Sequence, residues 1–317
     1  MSNKIYKWIP IFGQKLESGG DELIFKGGTR QDVQGGRPDQ DCYGLYICNQ
    51  TFTGGSISAR IKFSEVTPNS CCEIVVAYDP LTRSTFQVGI APSLSLFAAR
   101  AYIKNDWEFL FQIGDRTALA SNVEYDIKVT ISGSIITMSV DGVNLIRSRL
   151  PISFVQSQVG LFCMGLNDIS ITNFEVTSNK PKAYVVMQFS APYNDVYLDV
   201  IKNICHELDV EVLRIDESQR TGFIISDIIK GISESTFIIA DITPVNANVF
   251  YEVGYAHGLN KPTILIAQAE TNLPFDISPF RTLFYENSIR GKPRLESELR
   301  KYISAILDEK TGNRLTS

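Results

Sequence analysis

Two periods of apolar and polar positions divide the chain. From about residue 20 to 178 the period is two, carried by β-branched and aromatic residues and broken by Gly, Asn and Asp. Such alternation marks strands with one buried face. Residues 56–63 and 125–131 alternate cleanly, and 73–78 is an apolar run. Further strands are predicted at 86–88, 94–103, 107–112, 135–140, 143–146, 158–164 and 169–176. Ser132-Gly133 and Asp141-Gly142 sit where two-residue hairpin turns need positive φ. About a dozen short strands with almost no helical period predict an all-β sandwich of two packed sheets.

After the polar link Asn179-Lys180-Pro181-Lys182 the texture changes. Strands are predicted at 183–189, 210–215, 236–240, 262–267 and 282–285, and helices at 195–208, 224–232, 250–259 and 294–307. Strict alternation of this kind predicts a five-stranded parallel sheet with helices on both faces. The expected organisation is therefore a β-sandwich over 1–178 and an α/β domain over 179–317. Open parallel sheets take their ligands at the carboxyl ends of the strands.

The 317 residues are 44% hydrophobic and 21% charged, with formal charge −5 split almost evenly between the halves. That balance excludes a disordered chain and disfavours nucleic acid as the main partner. No apolar run is long enough for a membrane helix or a secretory signal, so a cytoplasmic protein without a membrane partner is expected. Cys42, Cys48, Cys71, Cys72, Cys163 and Cys205 form no CxxC pair. They read as buried thiols, and no metal site is expected.

Candidate chemistry concentrates where the strand 236–240 runs into Asp241, a Pro- and Asn-containing turn and a helix. Asn248 is the expected N-cap, which places Glu252 in the first turn, where backbone N–H groups and the helix dipole favour a carboxylate. An ionised carboxylate is what a nucleophile or an oxocarbenium stabiliser requires. The alternative is a solvated residue that merely stabilises the helix. Gly254, costly inside a helix, predicts a close approach by backbone or ligand. Asp216 ends the second strand and Arg220 opens the next helix, a place for an anion or simply for a surface arginine. His257, about 140° around the helix from Glu252, is not expected to touch it.

The stretch IIADITPVNANVFYEVGYAHGLNKPTILI and the opening VVMQFSAPYNDVY resemble the nucleoside 2-deoxyribosyltransferase-like and TIR-like superfamily. The resemblance spans residues 183–287. It implies that Glu252 attacks or stabilises an anomeric carbon while an N-glycosidic bond breaks. TIR-like relatives cleave the nicotinamide–ribose bond of NAD, and several deplete NAD in bacterial immunity. The transferase pattern often has Asp where this chain has Asn246, and Asn cannot transfer a proton. Base activation then falls to Asp241 or another group, or the base needs none, as with cationic nicotinamide. Phe189 and Ser190 stand where the superfamily contacts ribose or phosphate; the alternative is a core aromatic followed by a capping Ser. Asn248, Tyr255 and Arg281, the last in a PFD…R stretch, complete the expected pocket, although Tyr251 or Tyr255 equally suits the core.

The segment 127–146, Gly160-Leu161-Phe162 and the final strand 169–176 resemble concanavalin-like and laminin-G-like jelly rolls. That resemblance implies a sensing or oligomerisation module with a small-molecule, glycan or protein ligand. Glu73 is its one candidate glycosidase carboxylate, and no partner for it is visible in the sequence. The resulting expectation is an N-ribosyl glycohydrolase effector acting on NAD or another nucleotide, a homo-oligomer requiring no cofactor. The alternative is a non-catalytic nucleotide-binding sensor or scaffold.

Overall fold

The computed structural model describes residues 6–29, 40–150, 154–217 and 224–308. The first strands are β1 (Trp8–Phe12), β2 (Glu17–Gly19), β3 (Glu22–Phe25), β4 (Cys42–Phe52), β5 (Gly55–Phe63), β6 (Cys71–Tyr78) and β7 (Thr85–Ile90). They continue as β8 (Ser95–Ile103), β9 (Asp106–Asp115), β10 (Glu124–Ser132), β11 (Ile135–Val140), β12 (Val143–Arg149), β13 (Ser157–Gly165) and β14 (Ile169–Ser178). Two antiparallel sheets result, ordered β1-β4-β13-β6-β7-β8-β9 and β12-β11-β10-β5-β14-β3-β2. The chain passes repeatedly between the sheets, giving a jelly-roll-like sandwich.

Alternation explains the packing. Along β5, Ile57, Ala59, Ile61 and Phe63 are buried while the residues between them are partly exposed. Together with Phe25, Phe52, Ile74, Phe86, Val88 and Ile127 they form one core. Each large apolar side chain buried there contributes about 1.5–3 kcal/mol. The β11–β12 turn is made by Asp141 and Gly142, at φ 50° and 79°. The preceding turn is Gly133-Ser134, because Ser132 pairs with Ile135.

Glu73 is fully buried and held by Arg100, whose Nε lies 3.1 and 3.0 Å from its two oxygens. Burial raises its carboxyl above the ordinary range, and Arg100 opposes that rise. The guanidinium also lies 3.7 Å above the Trp107 ring. Glu73 is thus a paired core charge.

The second domain has strands β15 (Lys182–Val186), β16 (Glu211–Arg214), β17 (Phe237–Asp241), β18 (Thr263–Gln268) and β19 (Thr282–Tyr285). All neighbours pair in parallel, in the order β16-β15-β17-β18-β19. Helix α1 covers 193–207, with its middle, Tyr197–Ile201, in the wider π form. The remaining helices are α2 (Ile224–Glu234), α3 (Ala247–Gly258) and α4 (Gly291–Asp308). Helices α1 and α4 pack on one face through Tyr197, Ile204, Leu299 and Ile303. On the other face α2 and α3 pack through Ile232, Val249, Val253 and Ala256. Side-chain alternation along β15 sends Val185 to the first face and Tyr184 to the second.

The two domains meet where the β10–β11 turn reaches the end of α2. The Ser134 amide donates to the Ser233 carbonyl at 2.9 Å. Gly133 has φ +56°, and a Cβ there would stand 2.5 Å from the Ser235 carbonyl oxygen, so both backbone and space call for glycine. The six cysteines are free and buried. No described helix is long and apolar enough to cross a membrane.

Candidate functional site

The strand-to-helix connection after β17 places the main candidates. Asn246, with extended backbone at φ −137° and ψ 124°, caps α3: its side-chain oxygen accepts from the Asn248 amide at 2.9 Å. This corrects the expected cap at Asn248, which lies inside the helix. The helix begins earlier because Asn246 already satisfies one of its free N–H groups. Glu252 consequently stands in the second turn, beyond the amides expected to hold it ionised.

Glu252 is half-buried, and burial raises its carboxyl to about 7. Desolvation thus opposes the charged form that the start of the helix was expected to favour. Glu252 has no hydrogen-bond or ion-pair partner among the described residues.

Facing the same side is Tyr184, 2% exposed, whose hydroxyl also has no hydrogen-bond partner among the described residues. Burial raises the phenol, and the carboxylates of Glu252, Asp227 and Asp216 raise it further, in that order. Helix α2 closes directly over the ring: a Cβ on Gly231 would lie 2.4 Å from a Tyr184 ring carbon. An unpaired buried hydroxyl beside an unpaired carboxyl is a costly arrangement, of the kind found where ligands bind.

The other candidates are distributed around this pair. Asp241 is fully buried at the end of β17; its Oδ1 accepts from the Thr243 amide at 3.0 Å and its Oδ2 from the Tyr285 hydroxyl at 2.9 Å. Burial raises its carboxyl to about 6 despite these bonds. Asp216 faces Arg214 with both oxygens, at 2.7 and 2.8 Å. Arg214, itself buried, also donates to Asn194 at 2.8 Å and stacks 3.9 Å from the Tyr197 ring centre. Phe189, 41% exposed, borders the same guanidinium at 5.3 Å. The Ser190 hydroxyl accepts from the Gln188 side chain at 2.7 Å. Tyr255 packs partly into the α2–α3 core and faces Arg149 of the sandwich at 5.9 Å. Arg281 is exposed, and Arg220 lies outside the described residues.

Glu252, Asp216 and Tyr184 thus share one electrostatic neighbourhood, whereas Asp241 belongs to a separate network with Tyr285. His257 stacks on Phe280, with ring centres 4.3 Å apart. Among the described residues the close approach expected at Gly254 is absent: a Cβ there would meet nothing within 4 Å. Sequence reasoning missed Tyr184 and Arg214. Gly231, a helix-interior glycine followed by Ile232, was the available signal for the first.

No protein-family model and no curated protein matches the chain. Solved structures do align with part of it. A carbohydrate-binding module from Bacillus subtilis covers 53% of this chain and 92% of its own length, at 11% identity and a TM-score of 0.42. A Bacillus subtilis protein of unknown function with a galectin-like fold covers 53% and 87%, at 12% identity and a TM-score of 0.38. A Bacillus licheniformis β-glucanase covers 55% and 92%, at 10% identity and a TM-score of 0.38.

Proposed function

We propose that the α/β domain breaks the N-ribosidic bond of NAD or a related nucleotide, with Glu252 as the catalytic carboxylate and the sandwich as a sensing or oligomerisation module. The observation that carries this reading is the half-buried Glu252 carboxyl, without a hydrogen-bond partner among the described residues, beside the unpartnered Tyr184 hydroxyl. It lies within the segment that resembles the TIR-like and deoxyribosyltransferase-like superfamily, where effectors of bacterial immunity supply the biological setting.

The chemistry follows from charge. When the bond between the ribose carbon and the base nitrogen breaks, its electron pair leaves with the base and positive charge develops on the sugar. An ionised Glu252 stabilises that charge more strongly in a desolvated site than in water. Cationic nicotinamide becomes neutral as it departs and needs no proton. This suits a site in which the Asn246 oxygen is occupied by its helix cap and both Asp241 oxygens are engaged. Water then attacks the sugar carbon and releases a proton to solvent or to Glu252. A positive substrate also lowers the Glu252 carboxyl from about 7 on binding, so the ionised form is recruited when it is needed.

Incubating the full chain with a mixed nucleotide and nucleoside pool, with mass spectrometry of released bases, tests this. Release of nicotinamide from NAD that falls by at least about a hundredfold in Glu252→Gln is the expected result. Equal release by the variant would overturn the reading. A non-catalytic nucleotide sensor is favoured by one feature, the full engagement of Asp241; an intact nucleotide retained without turnover is its signature.

A further inference from the structure

A second cleft lies between the sandwich and the α/β domain. The cleft is about 580 Å³ and is lined by the end of β12 and by one face of α2. Arg147 and Arg149 reach it from β12, and spacing by two puts both on the same face of a strand. Ser226, Lys230 and Ser233 reach it from α2, where spacings of four and three keep them on one helical face. Three cations therefore converge in a chain whose overall charge is −5.

Their compensation is incomplete. Glu234 is the one carboxylate among the lining residues, 3.6 Å from Arg147, which stays 66% exposed. Arg149 and Lys230 pair with no carboxylate among the described residues. Ser226, exposed on the same helical face as Lys230, adds an accessible hydroxyl to the lining. Cations without carboxylate partners around an open cleft suit an anionic oxygen.

We propose that this cleft binds a phosphorylated small molecule of about nucleotide size, its phosphate oxygens held by Arg149, Lys230 and the Ser226 hydroxyl. Arginine's fork matches phosphate geometry, lysine adds a point charge and serine a neutral donor. The ligand touches both domains and so couples their relative stability by linkage. The site does not depend on the role of Glu252.

Calorimetric titration of the full chain with inorganic pyrophosphate, with ATP and, as a carboxylate control, with citrate tests the site at low and at physiological ionic strength. Saturable binding of pyrophosphate or ATP is expected, weakening with salt. It should fall at least about tenfold in the Arg149→Ala/Lys230→Ala double variant and in Ser226→Glu, and persist in Glu252→Gln. All these residues except Glu252 are exposed, and unchanged thermal midpoints confirm folding. No saturable binding of either phosphate probe, binding that survives both cleft variants, or citrate binding as tight as pyrophosphate would each overturn the proposal.

Discussion

At the residue scale the decisive group is Glu252, whose proposed role comes from its motif and whose environment the motif did not reveal. Helix position alone suggested an ionised carboxylate, but burial raises it to about 7. The consequence for stability has a definite sign. The folded protein holds a proton on Glu252 between pH about 4.5, its ordinary value, and about 7, where the unfolded chain has released it. Stability is therefore lost as pH rises through that window. Glu252→Gln lacks this loss: its thermal midpoint should match the wild type near pH 4 and exceed it at pH 8. The gain should be about 1–2 kcal/mol, below the full shift because the carboxyl keeps partial solvent contact. Scanning calorimetry at the two pH values checks it; equal midpoints at pH 8 would mean the carboxyl is not desolvated. Tyr184 escaped notice for a related reason, since a tyrosine in an apolar strand reads as core and only the α2 contact shows its hydroxyl stranded.

Among the elements, legibility followed periodicity. β5, β10 and β11 alternate and were readable almost to the residue. β1 was not, because Pro10 interrupts an apolar run on what is an edge strand, where a missing N–H is tolerated. β4 was hidden because its middle is buried on both faces, leaving no alternation to detect. Helix α3 was found, but its start was placed late, since two asparagines two positions apart are equally good caps by type. Asn246→Ala should destabilise the domain by about 1 kcal/mol, and Asn248→Ala, which keeps the amide donor, by markedly less. Urea denaturation of both variants measures the difference. Equal losses would contradict the cap geometry.

For the whole molecule, the change of period at residue 179 separated antiparallel sandwich from parallel sheet, and no local pattern could reveal what the two build together. The basic cleft joins Arg149 to Lys230, some eighty positions apart in sequence, and the buried Glu73–Arg100 pair likewise crosses between strands. Such arrangements arise from topology and leave no spacing signature. The proposed reaction also belongs to this scale, because it needs the β17–α3 connection, Tyr184 on β15 and the covering helix α2 in one place. Its most direct test is nicotinamide release from NAD by the full chain, followed from pH 5 to 9 beside Glu252→Gln. The wild-type kcat/KM should rise with pH through about 7 as Glu252 ionises, and the variant should be slower by at least about a hundredfold with no such rise. A wild-type profile that is flat across neutrality, or a variant that releases nicotinamide as fast as the wild type, would contradict the assignment of Glu252.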